Sequence, residues 1–192
     1  MEFVKNYLDT LKKELDTLDL TSVKKIVDLL FEAWKNNKQV FIFGNGGSAI
    51  TASHFACDLG KGTLERVYDR NEKRFRVISL TDNVATITAY SNDLSYDDIF
   101  IQQLRNLVQP GDLVIAITGS GNSVNVLKAV EYANQVGATT IGFLGFNGGK
   151  LIDMVDHCIL MKSNHYGRIE DSHLILEHLI CSYLAKKIRG EK

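Results

Sequence analysis

Proline is almost missing from this sequence: Pro110 is the only one among 192 residues. Without a Pro-rich linker, a low-complexity tract or a repeat, the chain reads as one continuous unit over 1–192. Cysteine is scarce as well. Cys57, Cys158 and Cys181 are odd in number, widely spaced and form no C-x-x-C. Reduced thiols are therefore expected, acting as small buried hydrophobes in a cytoplasmic protein. Charge of one sign is lacking too, with 22 Lys+Arg against 23 Asp+Glu. A net charge of -1 gives no general field to gather nucleic acid or an anionic membrane. No apolar run approaches the roughly 20 residues of a membrane-spanning helix. The charged opening stretch Met1–Leu8 contains no apolar core of a secretory signal. The expectations are no membrane, no nucleic acid and the cytoplasm.

What is present is enough apolar residue, 45%, for a sizeable core. Val4, Leu8, Leu11, Leu15 and Leu18 recur at helical spacing. A second helix follows, with Thr21 or Ser22 as its cap, so 1–36 reads as a helical N-terminal extension. Four short, nearly continuous apolar runs come next: Gln39–Gly44, Arg76–Leu80, Asp112–Thr118 and Thr139–Leu144. Such runs suit strands covered on both faces. His157–Met161 makes a weaker fifth. Helical segments at about 48–60, 83–91, 96–107, 122–136, 149–154 and 168–188 complete the pattern. Strands alternating with helices predict an α/β fold, a doubly wound, flavodoxin-like parallel sheet of five strands with helices on both faces. In such sheets ligands bind beyond the carboxyl ends of the strands, so the loops after the first and third strands are where chemistry is expected.

Both loops are rich in glycine and hydroxyls. Gly44-Asn45-Gly46-Gly47-Ser48-Ala49 follows the first strand and opens a helix. Glycines admit a ligand close to the backbone, and free N–H groups at a helix start suit an anion. The same residues also suit a tight strand-to-helix turn with a serine cap. Gly44-x-Gly46-x-x-Ala49 loosely matches a dinucleotide fingerprint, but the acidic residue expected about 20 positions on is missing, Asp82 lying well beyond. Thr118-Gly119-Ser120-Gly121-Asn122-Ser123 follows the third strand. Its hydroxyls and amides can surround a phosphate, and it lacks the Gly-Lys-Ser/Thr of a nucleotide P-loop. No nucleotide cofactor is expected.

The titratable residues form two groups. His54 and Asp58, four apart, share one helix face. Glu170 and His178 lie on the terminal helix, with His173 and Glu177 between them. Histidine with carboxylate suits zinc or another divalent metal, and equally acid–base work on a sugar. The His54–Asp58 spacing also suits a plain surface pair, and Glu170 a carboxylate favoured by the helix dipole. Eight residues of helix put Glu170 and His178 roughly 12 Å apart. One metal takes both only through a neighbouring subunit or a helix break, and His173 competes for the place.

Gly44-Asn-Gly-Gly-Ser48, His54-Phe-Ala56, Asn92-Asp93, Gly111-Asp112, Gly119-Ser-Gly-Asn-Ser123, Asn147-Gly-Gly-Lys150 and Arg168-Ile-Glu-Asp-Ser-His173 occur in an order that resembles the phosphoheptose isomerase family, a group of SIS (sugar-isomerase) domains. The likeness runs from about 1 to 188. It implies an aldose–ketose isomerase acting on a phosphorylated sugar, sedoheptulose 7-phosphate in the family. By resemblance, Ser48, Thr118, Ser120 and Ser123 hold the phosphate, Asn45 and Asp93 touch the sugar, and Gly46, Gly47 and Gly119 complete the substrate-binding set. The resemblance also gives His54, Asp58, Glu170 and His178 as zinc ligands, Asp58 and His178 as the proton-transfer pair, and a homotetramer with sites at subunit boundaries. Some residues depart from the pattern: Asp58 replaces Glu, Glu170 replaces Gln, Gly167 replaces Asp, and Leu59–Thr63 replaces a Gly-Arg-Tyr stretch. A non-catalytic SIS module that senses sugar phosphate or assembles with a protein partner is the alternative expectation.

Overall fold

The computed structural model describes residues 1–191. Its chain runs α1 (Glu2–Leu15), α2 (Leu20–Lys35), β1 (Gln39–Gly44), α3 (Gly47–Cys57), β2 (Arg76–Ser79), α4 (Val84–Asp93), α5 (Ile101–Leu107), β3 (Leu113–Thr118), α6 (Val124–Val136), β4 (Thr139–Gly145), β5 (His157–Met161) and α7 (Tyr166–Arg189). The five strands are parallel in the order β2-β1-β3-β4-β5. This is the flavodoxin-like order, and its switch point lies between β1 and β3.

The alternation of side chains along each strand sorts the core into two layers. Ile42, Ile115 and Phe143 pack with Val27, Leu30, Phe55, Ile180 and Leu184 of α2, α3 and α7 on one face. Phe41, Phe43, Val114 and Ala116 pack with Phe100, Leu104 and Val130 of α5 and its approach and of α6 on the other. α2 is thus part of a core layer. α1 buries none of its residues and leaves Phe3, Val4 and Leu8 exposed.

Three local expectations change. The cap of α2 is Asp19, whose carboxylate accepts from the Thr21 N–H at 2.9 Å and the Ser22 hydroxyl at 2.6 Å; a carboxylate one residue earlier outcompetes either hydroxyl. The segment 96–107 divides into a 3₁₀ turn at Tyr96–Asp98 and α5. Cys57 is exposed at the end of α3, so burial accounts for Cys181 and in part for Cys158 only. No helix of the described residues is long and apolar enough to cross a membrane.

Candidate active site

Both hydroxyl-rich loops meet at the switch point. Asn45, Ser48, Thr118, Gly119, Ser120, Ser123, Tyr166 and Glu170 line one cavity of about 160 Å³. Ser48 lies in the first turn of α3, Ser123 is the residue before α6, and Tyr166 begins α7. The starts of α3, α6 and α7 therefore border one space that no lysine or arginine lines, where the positive ends of the helix dipoles favour an anion against the Glu170 carboxylate that also lines it. The Ser123 hydroxyl makes no capping bond to its own helix, which leaves it for a ligand. The Thr118 hydroxyl accepts from the Gly121 N–H at 3.2 Å and so shapes the loop. Asn45 and the buried Asn125 exchange amide hydrogen bonds at 2.9 and 3.0 Å, and the Tyr96 hydroxyl donates to Asn45 at 2.9 Å. These bonds hold the first loop against α6. Asp93 stands apart: it is exposed at the end of α4, bonded to its neighbour Asn92, and does not line the cavity.

α3 and α7 run side by side from this cavity. Where the end of α3 meets the middle of α7, His54, Asp58, Glu177 and His178 each offer a ligand atom, all within 4.8 Å of one another. His54 Nε2 is 3.8 Å and His178 Nε2 is 3.9 Å from Asp58 Oδ2, and the two imidazoles meet edge to face at 4.9 Å. His178 Nε2 is 3.4 Å from Glu177 Oε2. Asp58 begins a π-helical turn, Asp58–Gly62, that widens the end of α3. Such widened turns recur at functional sites. Glu177 is fully buried and neither of its oxygens has a hydrogen-bond partner. Burial, reinforced by the Asp58 carboxylate, pushes its pKa up to about 8. A buried orphan carboxylate flanked by two imidazoles and a second carboxylate is a donor set that fits a divalent cation.

Within the single chain Glu170 does not join His54, Asp58 and His178, so a neighbouring subunit would have to supply it, as the spacing requires. Eight residues of regular helix separate Glu170 from His178, and within the chain Glu170 instead reaches the first hydroxyl-rich loop, where a Cβ on Gly47 would come within 2.7 Å of its carboxylate oxygens. His173 does not join the cluster either. Its ring is buried, with Nε2 3.2 Å from the Leu144 carbonyl oxygen, and burial lowers its pKa to about 4. Sequence reasoning gave no role to Asn125, Tyr166 or Glu177. A signal for Glu177 was available: it falls on the stripe Ile169, Ser172, His173, Leu176, Ile180 and Leu184, where a carboxylate is out of place.

His173 carries a testable consequence for stability. Between its unfolded value of 6.5 and its folded value of about 4, only the unfolded chain takes up the proton. Acidification through that window therefore destabilises the fold, by up to about 3 kcal/mol near pH 4. The H173Q variant keeps a donor for Leu144 and is expected to lose less stability on acidification. Urea unfolding near neutral pH and near pH 4.5 measures this, and an equal acid loss in both proteins would assign the effect to other groups.

A family model described as SIS domain matches residues 2–145, a span that takes in both hydroxyl loops and the His54–Asp58 pair, so the class is that of the SIS-domain proteins. Phosphoheptose isomerase of Geotalea daltonii is 34% identical over all of this chain and 99% of its own length. That of Helicobacter pylori is 37% identical over 93% of this chain and 90% of its own. The structure of phosphoheptose isomerase GmhA from Neisseria gonorrhoeae matches with a TM-score of 0.86 at 28% identity, over 95% of this chain and 97% of that one. The chain belongs to the phosphoheptose isomerase family.

Proposed function

We propose that the protein is an aldose–ketose isomerase that interconverts sedoheptulose 7-phosphate and D-glycero-D-manno-heptose 7-phosphate. One observation carries the reading: the hydroxyl-lined cavity lies at the N-terminal ends of α3 and α7, and the His/carboxylate cluster lies further along the same two helices, at the end of α3 and the middle of α7. Ser48 and His54 are six residues apart on α3, a rise of about 9 Å. A seven-carbon chain spans roughly 8 Å when extended, at about 1.3 Å per bond along its axis. A phosphate among Ser48, Thr118, Ser120 and Ser123 therefore leaves C1 and C2 beside the cluster.

In this reading Asp58 removes a proton from C1 of the ketose while the oxygen on C2 gains one, which forms the enediol. C2 is then reprotonated as the C1 hydroxyl loses its proton to become the aldehyde, with His178 as partner to Asp58. His54, Asp58 and His178, with Glu170 brought in from a neighbouring subunit, are the residues that would hold zinc or another divalent metal. When bound, such a metal supplies polarisation of the sugar carbonyl. Asp58 is one methylene shorter than the family's Glu, and the widened turn at Asp58–Gly62 is what presents it. A module that only binds sugar phosphate has no use for a proton-transfer pair, so the enzyme reading is preferred.

The proposal treats the chain as one SIS unit, working in the cytoplasm as a homotetramer. Support for assembly comes from the exposed Phe3, Val4 and Leu8 of α1 and the exposed Leu174, Ile175, Leu179 and Tyr183 of α7. His178 lies on α7 amid that apolar face, as expected of a site at a subunit boundary. NMR of sedoheptulose 7-phosphate in deuterated water, with and without zinc, tests the activity. Aldose signals with deuterium at the reacting carbon are expected. Binding of the ester with no turnover in either condition would return the protein to the sensor class. Light scattering giving a monomer's mass would remove the assembly.

A further inference from the structure

We propose that Asn125 and Tyr96 are positioning residues for substrate binding, which lock the side chain of Asn45 so that it offers the sugar phosphate a single N–H donor and no acceptor. This rests on the sugar-phosphate reading above. Asn45 lines the hydroxyl-rich cavity, while Asn125 and Tyr96 stand behind it. Asn45 is followed by Gly46, at φ +58°, and Gly47, so the main chain of the first loop does little to hold it. Its side chain does that instead. Asn45 Nδ2 donates to Asn125 Oδ1 at 2.9 Å, Asn125 Nδ2 donates to Asn45 Oδ1 at 3.0 Å, and the Tyr96 hydroxyl donates to the same Asn45 Oδ1 at 2.9 Å. A side-chain amide has two N–H donors and an oxygen with two lone pairs. Both lone pairs of Asn45 Oδ1 are therefore taken, and one Nδ2–H is left. Turning the amide over would set oxygen against oxygen and nitrogen against nitrogen across the Asn125 pair, so the reciprocal bonds admit one orientation. Among the described residues Asn45 is the only partner of the Asn125 side chain, which is buried on the second residue of α6. An apolar side chain would fill that place with no polar group to satisfy, so what the Asn125 amide adds is its hold on Asn45. α6 starts at the second hydroxyl-rich loop and Tyr96 opens the turn before α5, so two distant segments converge on the one residue of the first loop. A lone donor suits an oxygen acceptor of the bound ester and gives nothing to a ligand N–H or O–H donor.

The test is a double-mutant cycle on the full-length protein, read by calorimetric titration with sedoheptulose 7-phosphate, with thermal melting to show that each variant folds. N45A should weaken binding about 10-fold, the worth of one hydrogen bond to the ester. N125A should weaken it about as much in the wild type, and by less than about 2-fold in N45A, because a residue that acts through another has nothing left to act on. N125D, of unchanged size, sets a carboxylate oxygen against Asn45 Oδ1; it should repeat that pattern and covers the case in which N125A does not fold. Y96F, which frees one lone pair only, should cost about 3-fold in the wild type and nothing in N45A. Equal losses from the Asn125 variants in both backgrounds would assign Asn125 a purely structural role and overturn the proposal. Wild-type affinity in those variants would overturn it as well. A wild type that shows the expected pattern of binding without turning the ester over supports the positioning role and removes the isomerase. A wild type that binds no ester overturns both readings.

Discussion

Replacing His178 with alanine is expected to abolish isomerisation while leaving binding of the phosphate ester intact. The imidazole is half exposed and sits 3.9 Å from Asp58 Oδ2, opposite His54, near the middle of α7 and away from the hydroxyl-lined cavity at that helix's start. Loss of one member of a positioned acid–base pair lowers kcat by about 10²–10⁴-fold. The hydroxyl loops and the three helix N-termini lie too far away to be disturbed, so KM should change little. Steady-state kinetics on sedoheptulose 7-phosphate, with calorimetric binding of the same ester to H178A, separates the two quantities. Full activity in H178A would refute its place in proton transfer. Loss of ester binding along with activity would show that the two ends of the site are not independent.

Substituting Gly121 with alanine is expected to damage the other end, through the backbone. Gly121 has φ +63°, and a Cβ there would stand 1.9 Å from the Gly148 carbonyl oxygen. No rotamer relieves a contact between a Cβ and main chain. The turn at 147–150 and the phosphate loop interlock: the Leu151 N–H donates to the Gly121 carbonyl at 3.0 Å and the Lys150 N–H to Asn122 Oδ1 at 3.1 Å. Relief must push the two turns apart, which costs about 3–5 kcal/mol once left-handed strain is added. It also displaces Ser120 and Ser123 from their common focus. Urea unfolding should show the stability loss, and KM for the ester should rise with less effect on kcat. Unchanged stability and KM would mean that the interlock does not shape the phosphate site.

Much of this arrangement is legible along the chain. The apolar runs at 39–44, 113–118 and 139–144 are strands because each is short, β-branched and apolar on both faces, and a parallel sheet buries both. The two hydroxyl loops announce themselves because a strand-to-helix turn joins contiguous residues, so their chemistry is local. Helix rise alone argues against one metal taking both Glu170 and His178 within one chain.

The linear pattern by itself determined the α/β alternation, the strand-tip location of the two hydroxyl-rich loops and the His54–Asp58 pair, because each depends on residues close in sequence and on fixed periods of strand and helix. Only the tertiary structure decided that α7 lies along α3. That packing brings Glu170 to Gly47 at one end and Glu177 and His178 to His54 and Asp58 at the other. Whether a carboxylate on a helix is a surface charge or a buried, unpaired donor depends on what covers that face, and here α3, more than a hundred residues earlier, covers it.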